Sequence, residues 1–408
     1  MKKQLLAIVS SVLSVLMFST SAFAQLPSPC YGWNLGNTLD APDGEGTWSP
    51  LATQSLINAV VDSGFNTIRL PVAWDTHANQ SNHQIDAAWM ARVKQVVDWC
   101  YARKVTVIVN CHWDRGWLEK NITDTVNPSI NAKMQSYWTQ IANTFKNYGN
   151  GVLFAGTNEP DCTTAAQWTT LLAYHQTFVN AVRATGGNNS NRWLVIQGPK
   201  TDIDLTDKLV GSLPSDSASG RLAVEIHYYD PFSFTLQDKD ETWGKMLYFW
   251  GQSYHHATRT DRNVSFQEEA HVDAQFQKMA DKFVSRGIPV IIGEFAAKKR
   301  KQSDLTGTDL NLHLASRTYF HRYVVNSANS KGLKPIYWDI AGAMFDWSTG
   351  AITDKDTVRA LTGGAALPPL GGGIIANGSN ARQASNVSGE NQRGMVTLPG
   401  DNQYSGKK

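Results

Sequence analysis

The chain has 408 residues, 42% of them hydrophobic and 18% charged. That supports a large buried core, in one α/β barrel of about 250 residues or in two or three smaller domains. Its 37 basic and 35 acidic side chains leave a formal charge of +2, a balance without the basic field that attracts nucleic acid or an anionic membrane.

Met1-Lys2-Lys3 precedes an apolar stretch from Leu5 to Phe18, followed by Ala22-Phe23-Ala24. A charged start, a short hydrophobic core and small residues before a cut are the marks of a secretory signal peptide over 1–24. The stretch is too short for a comfortable membrane span, although an uncleaved anchor is the rival. Loss of Lys2 and Lys3 with this leader brings the net charge to about zero, so the exported chain suits an uncharged partner. Export permits disulfides, but Cys30, Cys100, Cys111 and Cys162 show no CxxC spacing, and their three full pairings stay open beside free thiols.

Short apolar or β-branched runs then recur at 31–36, 66–71, 105–110, 152–156, 193–197, 223–227, 290–293 and 335–339. Between them lie segments with helical spacing at 87–102, 130–148, 165–185, 270–285 and 310–327. Strands alternating with helices pair in parallel. Eight such units predict a closed (β/α)8 TIM barrel as a single catalytic domain over 25–362. A doubly wound open sheet is the runner-up, disfavoured by its usual smaller strand number and by the lack of GxGxxG or GxxxxGK[ST]. One connection, 231–269, is oversized and carries Phe232, Trp243, Tyr248, Trp250 and Tyr254. Long loops of this kind shape a barrel's active site, so its aromatics line a cleft or pack the loop onto the barrel. The Lys298-Lys299-Arg300-Lys301 run reads as a solvated loop. Residues 363–408, rich in Gly, Pro, Ser and Asn, read as a disordered tail.

The chemistry lies at the strand ends. Thr157-Asn158-Glu159-Pro160 follows the fourth apolar run and Gly293-Glu294-Phe295 the seventh. A carboxylate at the carboxyl end of a barrel strand points into the mouth, where such folds work. Two facing each other supply what glycoside hydrolysis needs: one proton donor and one nucleophile or base. Arg69 is a charge inside an apolar strand, rare without an anionic partner; it pairs with a structural Asp or keeps a catalytic carboxylate ionised. His112 ends the third strand, as a core histidine or a sugar contact. His227 and Tyr229, two apart, share a face of the sixth strand. Asn158 offers an amide to a sugar hydroxyl, and Trp338 offers a ring to a sugar face or to the core. With nothing cationic beside it in sequence, Glu159 suits the protonated acid; Glu294, if near Arg69 and Tyr229, is held ionised as nucleophile.

Gly32-Trp33-Asn34-Leu35-Gly36-Asn37-Thr38, Ile68-Arg69-Leu70-Pro71, His112, Asn158-Glu159-Pro160, His227-Tyr228-Tyr229, Gly293-Glu294-Phe295 and Trp338 together resemble glycoside hydrolase family 5, the cellulase family of clan A, over residues 30–361. The opening motif and the loop bearing Trp243 to Trp250 resemble its endoglucanase branch. The resemblance implies a (β/α)8 barrel and retention of anomeric configuration, with Glu159 as acid/base and Glu294 as nucleophile. It further implies Arg69, His112, Asn158, His227, Tyr229 and Trp338 as supporting residues, and a cis Trp338–Asp339 bond. Asn37, Trp113 and Trp243 join the candidate substrate contacts. Trp113 marks a departure, since many members carry a second histidine there. Neither a metal nor an organic cofactor is implied. The expected protein is a secreted, monomeric endo-β-1,4-glucanase acting on a β-glucan polysaccharide. Xyloglucan, mixed-linkage glucan and mannan are alternative substrates, and an inactive carbohydrate-binding protein is the rival from another class. A secreted esterase is disfavoured because no Gly-x-Ser-x-Gly elbow is found.

Overall fold

The computed structural model describes residues 26–301 and 303–364. The expected leader and all but the first two residues of the expected tail lie outside them. Eight parallel strands close a barrel in chain order: β1 (Gly32–Leu35), β2 (Thr67–Leu70), β3 (Thr106–Asn110), β4 (Val152–Ala155), β5 (Leu194–Gln197), β6 (Leu222–Tyr228), β7 (Val290–Phe295) and β8 (Lys334–Asp339). Closure is direct, with Gly32 of β1 opposite both Thr67 and Ile336. Each expected strand lies within two residues of an observed one.

Helices fill the connections: α1 (Gln54–Asp62), α2 (Ala87–Ala102), α3 (Pro128–Phe145), α4 (Ala165–Ala184), α5 (Ile203–Leu209), the single turn α6 (Phe232–Thr235), α7 (Glu269–Lys282), α8 (Gly307–Ser330) and α9 (Lys355–Leu361). Their starts are chemically marked. Asp86 caps α2, Asn127 caps α3 with Pro128 in the first turn, and Thr164 and Gln167 form a capping box on α4. The helices absent from the sequence expectation, α1, α5, α6 and α9, have nine residues or fewer, too few for a periodic pattern to stand out. Among the described residues no helix is long and apolar enough to cross a membrane.

Strand alternation divides the core. Outward residues such as Val107 and Val109 join the helices in one large cluster, while Ile108, Leu153, Val195, Ala223, Ile291 and Ile336 form a small cluster inside the barrel. Above this apolar plug the same inward parity brings up Asn34, Arg69, Glu225 and Gly293, so a polar layer begins one step nearer the mouth. All four cysteines are buried and free.

Two expectations are corrected. The 298–301 run is not a uniformly solvated loop: Arg300 is buried, and its guanidinium donates to the carbonyls of Ser233, Phe234, Gln237 and Leu247. Its two terminal nitrogens satisfy carbonyls that a loop of 231–268 cannot satisfy itself. The cis bonds among the described residues are Ser28–Pro29 and Asp230–Pro231, so Trp338–Asp339 is trans, the form favoured by about 2.5–4 kcal/mol before a residue other than proline.

Arg300→Ala is expected to cost about 1.5–3 kcal/mol, the worth of charge-assisted bonds left unmade. Thermal denaturation reads that loss, and limited proteolysis should cut first within 231–268.

Candidate active site

Arg69 is the centre of the polar layer. Its side chain is fully buried, and its two terminal nitrogens reach four partners from four strands. Nη1 donates to Asn34 Oδ1 at 3.0 Å and to Glu294 Oε1 at 3.0 Å; Nη2 donates to Asn158 Oδ1 at 2.8 Å and meets Glu225 Oε1 at 2.9 Å. Burial works against the cation, but Glu225 and Glu294 outweigh it and raise the Arg69 pKa. The expected pairing with Glu294 is therefore present, together with a second, unforeseen acid.

Glu225 escaped the sequence reading. It lies two residues before His227 and four before Tyr229, on one face of β6. A charge within Ala223-Val224-Glu225-Ile226 was the available signal, of the same kind that singled out Arg69. Glu225 is fully buried. Burial pushes its carboxyl up, but Arg69, His227 and Gln197 hold it below the ordinary value. A Cβ on Gly293 would stand 2.0 Å from Glu225 Oε1. Bare backbone at 293 is what leaves room for this acid.

His227 joins the acids. Nδ1 lies 2.7 Å from Glu159 Oε1 and 3.6 Å from Glu294 Oε2, while Nε2 lies 3.2 Å from Glu225 Oε1. Burial opposes the imidazolium, yet Glu294, Glu159 and Glu225 overcome it and raise the pKa to about 9. Both ring nitrogens thus donate. Glu159, His227 and Glu294 are grouped closely enough for a cation, but an imidazolium has no lone pair for a metal.

Glu159 and Glu294 present oxygens within 4.8 Å of each other. Tyr229 Oη donates to Glu294 Oε2 at 3.0 Å. The expectation that Glu294 is simply held ionised needs amendment. Burial pushes its carboxyl above the ordinary 4.5, and the pull of His227, Arg69 and Tyr229 does not fully cancel that. Glu159 is the more open of the two, its side chain 19% exposed against 8% for Glu294. His227 is the cation beside Glu159 that the local sequence did not reveal.

His112 is buried, and its charged form is disfavoured by burial, Arg69 and His227. Asn110 Oδ1 accepts the Val72 N–H, which turns Asn110 Nδ2 toward His112 Nδ1 at 3.0 Å. The imidazole is therefore neutral with its hydrogen on Nε2, 3.9 Å from Asp40 Oδ2. Its ring stacks on Trp338 at 5.6 Å and 7°. Asn37 sits in the turn after β1 with φ 58°, its N–H donating to Asp40. Trp113 is half-buried in front of the left-handed pair Asp114 and Arg115. Trp243 is 67% exposed and packs on Phe232 at 6.0 Å, out on the long β6 connection. Trp113 and Trp243 do not bond to the carboxylate cluster, so the structure gathers the polar candidates and leaves these two rings apart from them.

A family model described as cellulase (glycosyl hydrolase family 5) matches residues 34–343. The chain belongs to glycosyl hydrolase family 5. This family 5 chain is a glycoside hydrolase, and its relatives agree in architecture. It is 31% identical to Endoglucanase A of Paenibacillus barcinonensis over 82% of this chain and 87% of that one. It is 34% identical to Endoglucanase B of Clostridium cellulovorans over 76% of this chain and 66% of that one. Among solved structures, a family 5 xyloglucan-specific β-1,4-glucanase from a ruminal metagenomic library, in complex with XXLG, superposes with TM-score 0.74 and 37% identity, covering 83% of this chain and 95% of that one. The Bacteroides ovatus family 5 xyloglucanase with a XXXG heptasaccharide gives 0.75 and 32%, covering 82% of this chain and 74% of that one.

Gly293→Ala forces a methyl group into the space of the Glu225 carboxylate. The expected cost is about 1–3 kcal/mol of stability, as for other overpacked cores, read as a lower Tm.

Proposed function

We propose that the chain is a retaining endo-β-1,4-glucanase, with Glu159 as acid/base and Glu294 as nucleophile. The observation that carries this reading is the carboxylate pair, with oxygens within 4.8 Å of each other. Retaining enzymes hold their carboxyl groups about 5–5.5 Å apart, whereas inverting ones leave roughly 6.5–9.5 Å for a water. Arg69 and Tyr229 bond to Glu294 and not to Glu159, which suits Glu294 to the anionic role. The greater exposure of Glu159 suits it to exchange protons with water.

In the first step Glu159 gives its proton to the glycosidic oxygen as Glu294 attacks the anomeric carbon; the bond to the leaving chain breaks and a glycosyl ester forms. Ester formation removes the negative charge of Glu294. Glu159, left as carboxylate by the first step, then takes a proton from the incoming water as general base. Hydroxide oxygen bonds to the anomeric carbon, Glu294 leaves as carboxylate, and Glu159 is again protonated. Asn158, with its carbonyl engaged by Arg69, has its amide N–H groups left for a sugar hydroxyl. His112 offers Nε2–H in the same way. Trp338, Trp113 and Trp243 serve as apolar surfaces for sugar faces, and Asn37 borders the mouth through Asp40.

The substrate is a neutral β-1,4-linked glucan, in keeping with the endoglucanase relatives and the nearly uncharged chain. Xyloglucan is the second reading, favoured because the two solved relatives above are xyloglucan-active enzymes. The apolar leader over 1–24 supports export, which a polymeric substrate outside the cell requires, and a single catalytic domain over 25–362 acting as a monomer suffices for this chemistry.

Reducing-sugar release from carboxymethyl-cellulose, xyloglucan, mixed-linkage glucan and mannan tests the reading. Glu159→Gln should lower turnover by about 10²–10⁴, the usual contribution of a general acid. For Glu294→Gln the loss should be several orders of magnitude with the fold intact, and azide should rescue Glu294→Gly; no rescue would remove Glu294 from the nucleophile role.

The rate should also follow a bell-shaped pH curve. On the acid side it falls as Glu294 takes a proton, at a pH above the ordinary 4.5 because its pKa is raised. On the alkaline side activity should fall as pH passes about 9, where His227 loses its charge. An acid limb below 4.5 would contradict the burial of Glu294.

A further inference from the structure

We propose that Glu225 is a positioning residue for catalysis: it holds His227 as a doubly protonated cation between the acid/base and the nucleophile. The inference rests on the glycosidase reading above and deepens it.

Both carboxylate oxygens of Glu225 accept from donors of fixed orientation. Oε1 takes Arg69 Nη2 at 2.9 Å and His227 Nε2 at 3.2 Å, and Oε2 takes Gln197 Nε2 at 2.7 Å. The Gln197 amide cannot turn over, because its Oε1 accepts from Thr157 N–H at 2.9 Å and Thr157 Oγ1 at 3.1 Å. A carboxyl proton on Glu225 would face one of these hydrogens, so the group stays ionised. The packing suits the bonding, since the bare backbone of Gly293 leaves the room that this carboxylate occupies.

An ionised Glu225 fixes the state of His227. Nε2 must keep its hydrogen to meet Glu225, and Nδ1 then needs a second hydrogen to meet Glu159. The groups facing the ring are Glu159 from beyond β4, Glu225 on its own strand, Glu294 from β7, Arg69 from β2 and the neutral His112 from β3. Charge balance follows. Arg69 and His227 carry two positive charges, and Glu225 and Glu294 two negative ones. Two cations thus face two buried anions beside Glu159. Glu225 touches no substrate atom in this scheme. It acts through His227 and Arg69.

The test follows the full chain with ¹⁵N-labelled histidine, assigning His227 by difference from His227→Asn. In the wild type both His227 nitrogens should be protonated at neutral pH; a neutral ring there overturns the proposal without any Glu225 variant. In Glu225→Gln the His227 titration should fall by about one pH unit or more, a tenfold change in protonated fraction. The alkaline limb of kcat/KM should move to lower pH with it, while KM changes little. Unchanged His227 titration, or a uniform rate loss with an unmoved profile, shows a merely structural role and overturns the proposal. A wild type inactive on every glucan sinks the glycosidase reading instead, and the histidine titration still reports on Glu225.

Discussion

A guanidinium with no exposed surface must be satisfied from within, and that constraint organises the mouth of this barrel. Arg69 is buried on β2, where water cannot serve its donors. The chain meets it at the two terminal nitrogens with Asn34, Asn158, Glu225 and Glu294. Each partner comes from a different strand or strand end, so the hydrogen bonds of one side chain fix the relative heights of β1, β4, β6 and β7 at the mouth. The carboxylate pair is placed by this clamp. Its short separation follows from a network whose members have no slack.

The residues legible in sequence were those whose chemistry clashed with their surroundings. Arg69 inside an apolar strand, and Glu159 and Glu294 directly after apolar runs, stood out because charge there has to be explained. Glu225 met the same criterion yet lay mid-strand, away from the ends where barrel chemistry is sought. Gln197 and Asn110 were hidden for another reason. Each ends a strand with an ordinary polar residue, and its importance is the direction in which its amide is turned, a property of packed partners and not of local pattern. The eight strands were readable because each is short, apolar and isolated between helical segments. The helices of nine residues or fewer were not, since their starts depend on caps such as Thr53 and Asp202 more than on periodicity.

Arg300 shows how a charge run misleads. Four consecutive basic residues suggest solvent, and Lys298 does pair with Asp238 near the surface. One member of the run turns inward and pins the long β6 connection through its carbonyls, while Arg259, Arg262 and Arg300 all approach the ring of Tyr248 within 5.0–5.7 Å. The loop that carries Phe232 and Trp243 is thereby a fixed shelf beside the mouth. Its exposed indole is presented by a rigid support, which lowers the ordering cost of any contact it makes.

The four cysteines bear on where this protein can be made. Cys30, Cys100, Cys111 and Cys162 are buried and unpaired, and burial raises the thiol of Cys30 to about 11 and that of Cys162 to about 12. Thiols so far from ionisation are poor nucleophiles and poor partners for exchange. Among the described residues the barrel closes without a disulfide, and its packed thiols exchange slowly. Once folded, the chain keeps these thiols out of reach of exchange in a reducing or an oxidising medium.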